Sequence, residues 1–245
     1  MTALVDHLAP GAVAAQHPVA APGLLTRVLK RAFDVLVGSV LLVLLAPVIV
    51  LLAVVLAVQL RGWPFFVHHR VGPGMRPMWF PKLRTLPRDT PTYADKSPHV
   101  IQPVSGLARF LRRTHLDELP QLVLVPVGRL SLVGPRPVMA HELDGVDDQW
   151  RSVRLTVRQG CTGLWQVGLG QSLRVRDSPE YDLAYVRNLS LRLDAWILWR
   201  TARQCLGGGG VGLDDVPRWA LPRELGARVA PSVPTEDHVL ETVVD

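Results

Sequence analysis

The sequence predicts a helix-rich α+β fold, in which a single cytoplasmic domain is attached to a membrane through one apolar N-terminal helix. Three observations predict this architecture. An uncharged apolar run covers residues 35–60, prolines recur between residues 63 and 103, and short strand and helix patterns follow as far as residue 206. The predicted divisions are a disordered leader at 1–26, a membrane-inserted helix at 27–62, the domain at 63–206 and a flexible tail at 207–245.

Composition limits the partners of the chain. The 27 basic residues outnumber the 21 acidic ones, which gives a net charge of +6 and a pI near 10.0. Such a surface suits nucleic acid, anionic lipid or phosphorylated substrates, and the apolar run favours the last two. Cys161 and Cys205 are far apart in the sequence, which predicts no disulfide framework and indicates a reducing compartment. The Ala- and Pro-rich leader lacks a signal-peptide pattern.

The apolar run at 35–60 predicts the membrane helix. At about 1.5 Å per residue it is longer than the roughly 30 Å of a hydrocarbon core. Pro47 lies near its middle and predicts a kink, because proline removes a helical hydrogen bond. Two topologies follow: a kinked span with its ends on opposite faces, or a re-entrant hairpin with both ends on one face. Basic residues between Arg61 and Arg113 favour a cytoplasmic location for the domain.

Short elements are predicted after the apolar run. Strands are expected at 65–67 and 78–80, around a turn at 72–74, because aromatic and β-branched residues are bounded there by Gly and Pro. A helix is expected at 105–113, and Thr114 is expected to cap a second helix.

Two later segments are also predicted to be ordered. Residues 160–166 form a loop or a strand, with glycines at both ends of a tight stretch. Ser190 is expected to cap an amphipathic helix that ends near residue 206. Its tryptophans and arginines suit a membrane interface, and an ordinary packed helix is an equally good interpretation.

Asp117 and Glu118 are the most informative pair in the chain. The predicted second helix places both carboxylates in its first turn, where unpaired N–H groups and the helix dipole stabilise negative charge. A phosphate would be stabilised at the same place. Arg109, Arg112 and Arg113 precede the pair, and acids beside arginines suit a site for a metal and phosphates. Taken alone, such a pair is more simply explained as capping electrostatics.

Eight short strings of residues, taken together, resemble one family. In chain order they cover residues 30–34, 65–66 with 70–72, 82–84, 110–114, 116–121, 131–137, 162–167, and 190–191 with 193–194. Their order and spacing, over about residues 27–206, resemble the bacterial sugar transferases, which are monotopic polyprenyl-phosphate phosphoglycosyl transferases. The most distinctive strings are Leu-Asp-Glu-Leu-Pro-Gln at 116–121 and Gly-Pro-Arg-Pro at 134–137.

The resemblance implies a reaction and a catalytic domain at 63–206. A sugar-1-phosphate would pass from a nucleotide diphosphate sugar, usually a UDP-sugar, to undecaprenyl phosphate, with release of UMP. Asp117 would be the nucleophile that forms a phosphosugar–aspartyl intermediate, and Glu118 would act on the acceptor phosphate as a general base. Both acids would hold Mg²⁺, which needs only one or two carboxylates beside substrate phosphates. A re-entrant helix broken at Pro47 is implied as well.

The same resemblance, together with charge, predicts the substrate-binding residues. Arg112 and Arg136 match family arginines whose planar side chains suit phosphate. Lys82 and Arg84 are further candidates. Gln121, at the end of the 116–121 string, completes the predicted set.

The chain departs from the family pattern in places. His115 stands where a small hydroxyl residue is usual, and residues 86–103 match poorly. We expect His68, His69 and His115 to be surface or packing residues, since no Cys or His partner lies at zinc spacing.

The expected setting is the bacterial inner (cytoplasmic) membrane, at the first membrane step of exopolysaccharide, capsule, O-antigen or glycoconjugate synthesis. The expected partners are a nucleotide sugar, a polyprenyl phosphate and membrane lipid, but no nucleic acid. A homo-oligomer and downstream glycosyltransferases are the candidate protein partners. The alternative function is a non-catalytic, membrane-anchored basic scaffold.

Overall fold

A computed structural model describes residues 22–90, 102–169 and 175–221. It is helix-rich with two small sheets, which confirms that part of the predicted fold class. The helices are α1 (Leu24–Leu60), α2 (Gly106–Thr114), α3 (Asp148–Arg154), α4 (Leu164–Val167), α5 (Pro179–Arg187) and α6 (Leu191–Cys205). The strands are β1 (Phe65–Val71), β2 (Pro77–Leu83), β3 (Ser131–Val133) and β4 (Gly160–Thr162). Most of the predicted leader, 1–21, lies outside the described residues.

The N-terminal helix α1 is the one helix in the described ranges that is long and apolar enough to cross a membrane. It begins three residues before the predicted start and ends two residues before the predicted end. The helical assignment continues through Pro47, so the break implied there is absent. Proline removes a single hydrogen bond, and the turns on both sides keep their own.

One face of α1 packs on the domain along most of the helix. Its N-terminal half contacts the main apolar core, and its C-terminal half contacts a second cluster, in which Ala53 and Leu56 meet Leu83, Ala108 and Leu111. The opposite face carries exposed apolar side chains: Leu36, Val40, Val43, Leu44, Val50, Leu51, Val54 and Val58. An exposed apolar face of this length is typical of a surface that meets lipid.

Buried ion pairs join the N-terminal end of α1 to the domain. Lys30 Nζ lies 2.8 Å from Asp34 Oδ1 and 2.8 Å from Asp194 Oδ2. The Ser131 hydroxyl lies 2.7 Å from Asp34 Oδ2, and the Tyr185 hydroxyl lies 2.9 Å from Asp194 Oδ1. We call these residues the anchor cluster. Because a buried charge without partners is costly, the cluster constrains how α1 sits on α6 and β3.

Strands β1 and β2 form an antiparallel hairpin that is longer than predicted. Val71 pairs with Pro77 and Val67 pairs with Pro81 across the ladder. Proline is tolerated because each strand of a two-stranded sheet has a free edge, where no N–H has to be donated. The hairpin therefore extends beyond the short apolar strings that predicted it.

The second predicted helix starts differently from the expectation. Residues Leu116–Leu124 form a 3₁₀ helix, and His115 precedes it with a left-handed backbone, φ 57°. Thr114 does not cap this helix, because its hydroxyl instead lies 2.9 Å from the carbonyl oxygen of Phe110 in α2. Asp117 and Glu118 still lie in the first turn, as predicted.

The C-terminal half forms the main core around the parallel pair β3 and β4. Ser190 caps α6, with its hydroxyl accepting from the Leu193 N–H at 3.3 Å, as predicted. The flexible tail predicted from residue 207 is wrong for its first part. Val211 exchanges backbone hydrogen bonds with the 167–169 segment, and Leu213 and Leu221 are buried. Apolar residues scattered without periodicity hid this packing in the sequence.

Candidate active site

Five parts of the chain meet at one cleft, with a volume of about 280 Å³. They are the hairpin β1–β2, the segment 84–90 that follows β2, the end of α2, the start of the 3₁₀ helix Leu116–Leu124, and the loop after β3. The cleft is lined by six of the residues predicted for the site: Lys82, Arg84, Arg112, Asp117, Glu118 and Arg136. Residues separated by more than fifty positions in the sequence are thus brought together around two carboxylates.

Glu118 lies at the centre of a polar network. Lys82 Nζ donates to its Oε1 at 2.5 Å, and Gln121 Nε2 donates to its Oε2 at 2.9 Å. Arg136 Nη2 lies 3.7 Å from Oε1. Burial by itself raises the pKa of Glu118, but the charges of Lys82 and Arg136 and the two hydrogen bonds outweigh it and hold that pKa well below its usual range. Glu118 is therefore ionised.

Gln121 is the seventh predicted site residue and does not line the cleft. Its side chain is buried behind Glu118, where it holds the carboxylate from one side. The structure thus places it next to the acid pair rather than at the cleft surface.

Asp117 has a different environment from its neighbour. Burial raises its pKa to about 6, and the negative charge of Glu118 acts in the same direction. The positive charges of Lys82 and Arg112 oppose this shift without cancelling it. Two adjacent carboxylates whose pKa values are driven apart are typical of sites where the two acids have different roles.

Arg136 reaches the cleft from the loop that follows β3. Its neighbours Pro135 and Pro137 restrict the backbone, and main-chain hydrogen bonds fasten the loop to β4. The Gly134 N–H donates to the Thr162 carbonyl at 2.9 Å, and the Gly160 N–H donates to the Pro135 carbonyl at 3.0 Å. The Gly-Pro-Arg-Pro segment at 134–137 therefore has a restricted backbone, which limits the positions that the Arg136 guanidinium can take.

Three titratable cleft residues were not predicted as site residues from the sequence. They are His68, Arg70 and His115. Arg70 Nε donates to His68 Nε2 at 2.8 Å. Burial, reinforced by the charge of Arg136, lowers the pKa of Arg70 to about 10.

All three histidines also fit the expectation of surface or packing residues. His68 is buried and packs on Phe66 and Phe80, with ring centroids 5.4 and 5.5 Å apart. His69 and His115 are exposed.

A signal in the sequence could have found two of the three cleft residues. Phe66, His68 and Arg70 alternate along β1, and alternate residues of a strand share one face. In the observed register Phe66 pairs with Lys82, a predicted site residue. Because paired residues lie on the same face of a sheet, Phe66, His68 and Arg70 lie on the face that carries Lys82, which is the face that lines the cleft.

The acid pair meets the modest needs of a magnesium ion. Within the described ranges no group of three or more His, Cys, Asp or Glu side chains is arranged to hold a metal. Mg²⁺ is commonly bound by one or two carboxylates, with substrate phosphates and water completing its shell. Both carboxylate oxygens of Glu118 already accept hydrogen bonds, one from Lys82 and one from Gln121. A metal ion would therefore compete with existing contacts at Glu118 more than at Asp117.

A family comparison identifies the class of protein. The bacterial sugar transferase family matches residues 25–208. The chain therefore belongs to the bacterial sugar transferase family, as the resemblance of its eight strings predicts.

Individual relatives agree with this assignment. The exopolysaccharide production protein ExoY of Rhizobium meliloti is 32% identical over 197 residues, which cover 74% of this chain and 87% of the relative. A UDP-glucose:undecaprenyl-phosphate glucose-1-phosphate transferase of Klebsiella pneumoniae is 33% identical over 192 residues, covering 71% of this chain and 39% of the relative. A UDP-N-acetylgalactosamine-undecaprenyl-phosphate N-acetylgalactosaminephosphotransferase of Aeromonas hydrophila is 31% identical over 188 residues, covering 74% and 44%. The chain thus spans less than half the length of the last two.

Proposed function

We propose that this protein transfers a sugar-1-phosphate from a nucleotide diphosphate sugar, a UDP-sugar, to undecaprenyl phosphate and releases UMP. The names of the Klebsiella and Aeromonas relatives describe this class of reaction. One observation on this chain carries the proposal. Asp117 and Glu118 are adjacent in one cleft, have pKa values shifted in opposite directions, and are faced by Lys82, Arg112 and Arg136.

Asp117 is the proposed nucleophile. A carboxylate oxygen of Asp117 attacks the β-phosphorus of the donor, a new O–P bond forms, and the bond from that phosphorus to the bridging oxygen breaks, so that UMP leaves. A phosphate oxygen of the lipid acceptor then attacks the same phosphorus, and the Asp117 carboxylate is the leaving group. The cations in the cleft neutralise the phosphates, which is the main requirement of phosphoryl transfer.

Glu118 has a role that depends on the donor. With Lys82 and Arg136 bound to it, its pKa is so low that it accepts protons poorly. Donor phosphates compete for the same two cations. In the proposal, their binding draws Lys82 and Arg136 from Glu118, whose pKa then rises, so that it can take a proton from the acceptor phosphate.

Mg²⁺ is the proposed cofactor. Asp117 and Glu118 would hold it together with phosphate oxygens of the donor. When bound, the ion supplies positive charge that offsets the charge on the diphosphate. Lys82, Arg112 and Arg136 would orient the donor from the remaining sides of the cleft.

The proposed location is the bacterial inner membrane, with the catalytic domain and both ends of α1 on the cytoplasmic side. This is the topology of a re-entrant segment, although α1 continues as a helix through Pro47. The contacts of α1 support this topology. Lys30, near the start of α1, pairs with Asp194, and Gln59, near its end, lies 2.7 Å from the Ser105 hydroxyl. A spanning helix would separate its ends by a hydrocarbon core of roughly 30 Å. Here both ends contact the same domain, and the exposed face between them is apolar.

Labelling from one side of the membrane tests the topology. In a Cys205→Ala background, Leu24→Cys and Trp63→Cys place thiols at the two flanks of the apolar run, at sites that are 78% and 67% exposed. An impermeant maleimide added to inverted membrane vesicles should label both positions. Labelling of one position only would show that α1 spans the bilayer.

Product formation tests the function. Purified protein in lipid nanodiscs with Mg²⁺ is given a panel of UDP-sugars, with and without undecaprenyl phosphate. A suitable donor should release about one UMP per protein without the lipid acceptor, and continuous UMP with it, because a covalent intermediate gives a burst. Membrane binding with no UMP from any donor would support the scaffold instead. Turnover without a burst or a trapped adduct on Asp117 would refute the covalent step.

A further inference from the structure

Arg136 lies on an aromatic ring that no part of the proposed mechanism uses. Its guanidinium carbon is 5.4 Å from the ring centroid of Trp165, with the guanidinium over the ring face. The same guanidinium reaches to within 3.7 Å of Glu118. A cation over an indole face is attracted by the ring quadrupole, and the planar guanidinium can also stack on it. The guanidinium of Arg136 therefore contacts both the ring of Trp165 and the carboxylate of Glu118.

Trp165 is itself held rigidly. It lies in the short helix α4, and its indole N–H donates to the hydroxyl of Ser178 at 2.8 Å. Ser178 is fully buried. At the start of α4, a Cβ on Gly163 would lie 2.1 Å from the Gly134 carbonyl oxygen, so only glycine allows this approach. The ring is thus fixed relative to the loop that carries Arg136.

The backbone of Arg136 is held from another direction. Arg154 donates from Nη2 to the Arg136 carbonyl oxygen. Arg154 is buried, lies 4.7 Å from the ring centroid of Trp150, and its Nε is 3.4 Å from Asp182 Oδ2. Main chain and side chain of Arg136 therefore have separate supports, and the support of the side chain is Trp165.

We propose that Trp165 is a positioning residue for Arg136: its indole face keeps the guanidinium directed into the cleft, where it meets the diphosphate of the donor. The inference rests on the proposed function. Without the ring, the long side chain of Arg136 gains rotamers that point to solvent, since it is partly exposed and its ion pair with Glu118 is long, at 3.7 Å. The donor then has to order the arginine as it binds.

A double-mutant cycle on donor kinetics is the first test. Trp165→Leu should lower kcat/KM for the UDP-sugar about tenfold, and Trp165→Phe, which keeps a ring face, about twofold. In an Arg136→Lys background, Trp165→Leu should cost less than about twofold more, because lysine has no planar group to stack on the ring. Equal losses in both backgrounds would overturn the inference, since they would show that Trp165 acts on the fold and not through Arg136.

Trp196 supplies a matched control. It is 8% exposed, as Trp165 is, but it lies in α6 and does not line the cleft. Trp196→Leu should lower the melting temperature about as much as Trp165→Leu and should give losses of kcat/KM that are the same with Arg or Lys at 136. Coupling between positions 196 and 136 as large as that at 165 would overturn the inference.

An NMR measurement tests the geometry independently of any activity. In protein labelled with ¹⁵N-arginine, the Nε–H signal of Arg136 is assigned by its loss in Arg136→Lys. The ring current of Trp165 should shift this signal upfield in the wild type and in Trp165→Phe, but not in Trp165→Leu. An Arg136 Nε–H chemical shift that is the same in the wild type and in Trp165→Leu would overturn the positioning role, even if the enzyme is active. Conversely, an inactive wild type with the expected shift would refute the proposed function alone.

Discussion

The anchor cluster and the cleft contain the same groups, a lysine beside two carboxylates, yet they differ in how these groups are partnered. In the anchor cluster Lys30 bridges Asp34 and Asp194, and Ser131 and Tyr185 bond the remaining oxygens. In the cleft the acid pair is faced by four predicted cations and an open volume of about 280 Å³. In the first arrangement all four carboxylate oxygens have a partner within the protein. The second carries positive charge in excess of its acids, which is what an anionic substrate requires.

Replacing an aspartate by asparagine in each cluster should therefore have opposite consequences. The largest effect is expected in the cleft. Asp117→Asn removes the proposed nucleophile and should lower kcat for UMP release by at least about 10³-fold. The measurement is steady-state UMP formation in nanodiscs, with membrane association of the variant as a control. A variant that keeps a tenth or more of the wild-type rate would exclude Asp117 as the nucleophile.

The same substitution should stabilise the fold. Burial raises the pKa of Asp117 to about 6 from 3.8, so the folded state binds the proton more tightly than the unfolded state does. Wild-type stability then falls as pH rises from about 4 to 6, and the loss is complete above that range. Asp117→Asn, which cannot ionise, should melt higher than the wild type at pH 7 but not at pH 4. Equal melting temperatures at both pH values would contradict this.

In the anchor cluster the second-largest effect is expected, on stability. Asp34→Asn leaves the Lys30–Asp194 pair without its second carboxylate and should lower the free energy of unfolding by about 3 kcal/mol. Thermal or denaturant unfolding in detergent measures it. Asp148→Asn is the matched control, since the Asp148 side chain is 89% exposed and its ion pair with Arg151 lies at the surface. That change should cost less than about 0.5 kcal/mol. A similar loss of unfolding free energy in both variants would show that the anchor cluster does not stabilise the attachment of α1.

A smaller effect on stability is expected at the contact between Gly38 of α1 and Val125 of the domain. A Cβ on Gly38 of α1 would lie 2.7 Å from Val125 Cγ1, closer than packed side chains approach. Gly38→Ala should cost about 1–2 kcal/mol of stability, although alanine favours helix, because the helix must move off the domain. Val125→Ala in the same protein should restore most of the loss. Gly106→Ala is the control, since nothing lies within 4 Å of that Cβ. An unchanged stability of Gly38→Ala would mean that α1 is not closely packed against Val125.

The smallest expected effect is on the pH profile of the cleft. Because the nucleophile must be ionised and burial holds its pKa near 6, kcat/KM should fall about tenfold between pH 7 and pH 5. Added Mg²⁺ should move this decline to lower pH, since a cation beside Asp117 favours the carboxylate. Initial rates from pH 5 to 8 at two Mg²⁺ concentrations measure it. A kcat/KM that does not change between pH 5 and pH 8 would exclude a nucleophile whose pKa lies near 6.

Features that depend on a few neighbouring residues were predictable. The cap at Ser190, the apolar length of α1, and the acid pair in the first turn of a helix follow from interactions within about one helical turn. The hairpin was predicted at its turn but not at its ends. Its outer residues pair because the sheet has only two strands, a fact that no local pattern contains.

By itself, the sequence determined which groups this protein has for chemistry and that an apolar helix precedes them, because both are properties of adjacent residues. The tertiary structure decided which groups act together. Lys82 meets Glu118 across 36 positions, and Lys30 meets Asp194 across the whole domain. Such contacts exist only when distant segments pack, since packing is what removes water and lets one charge set the pKa of another.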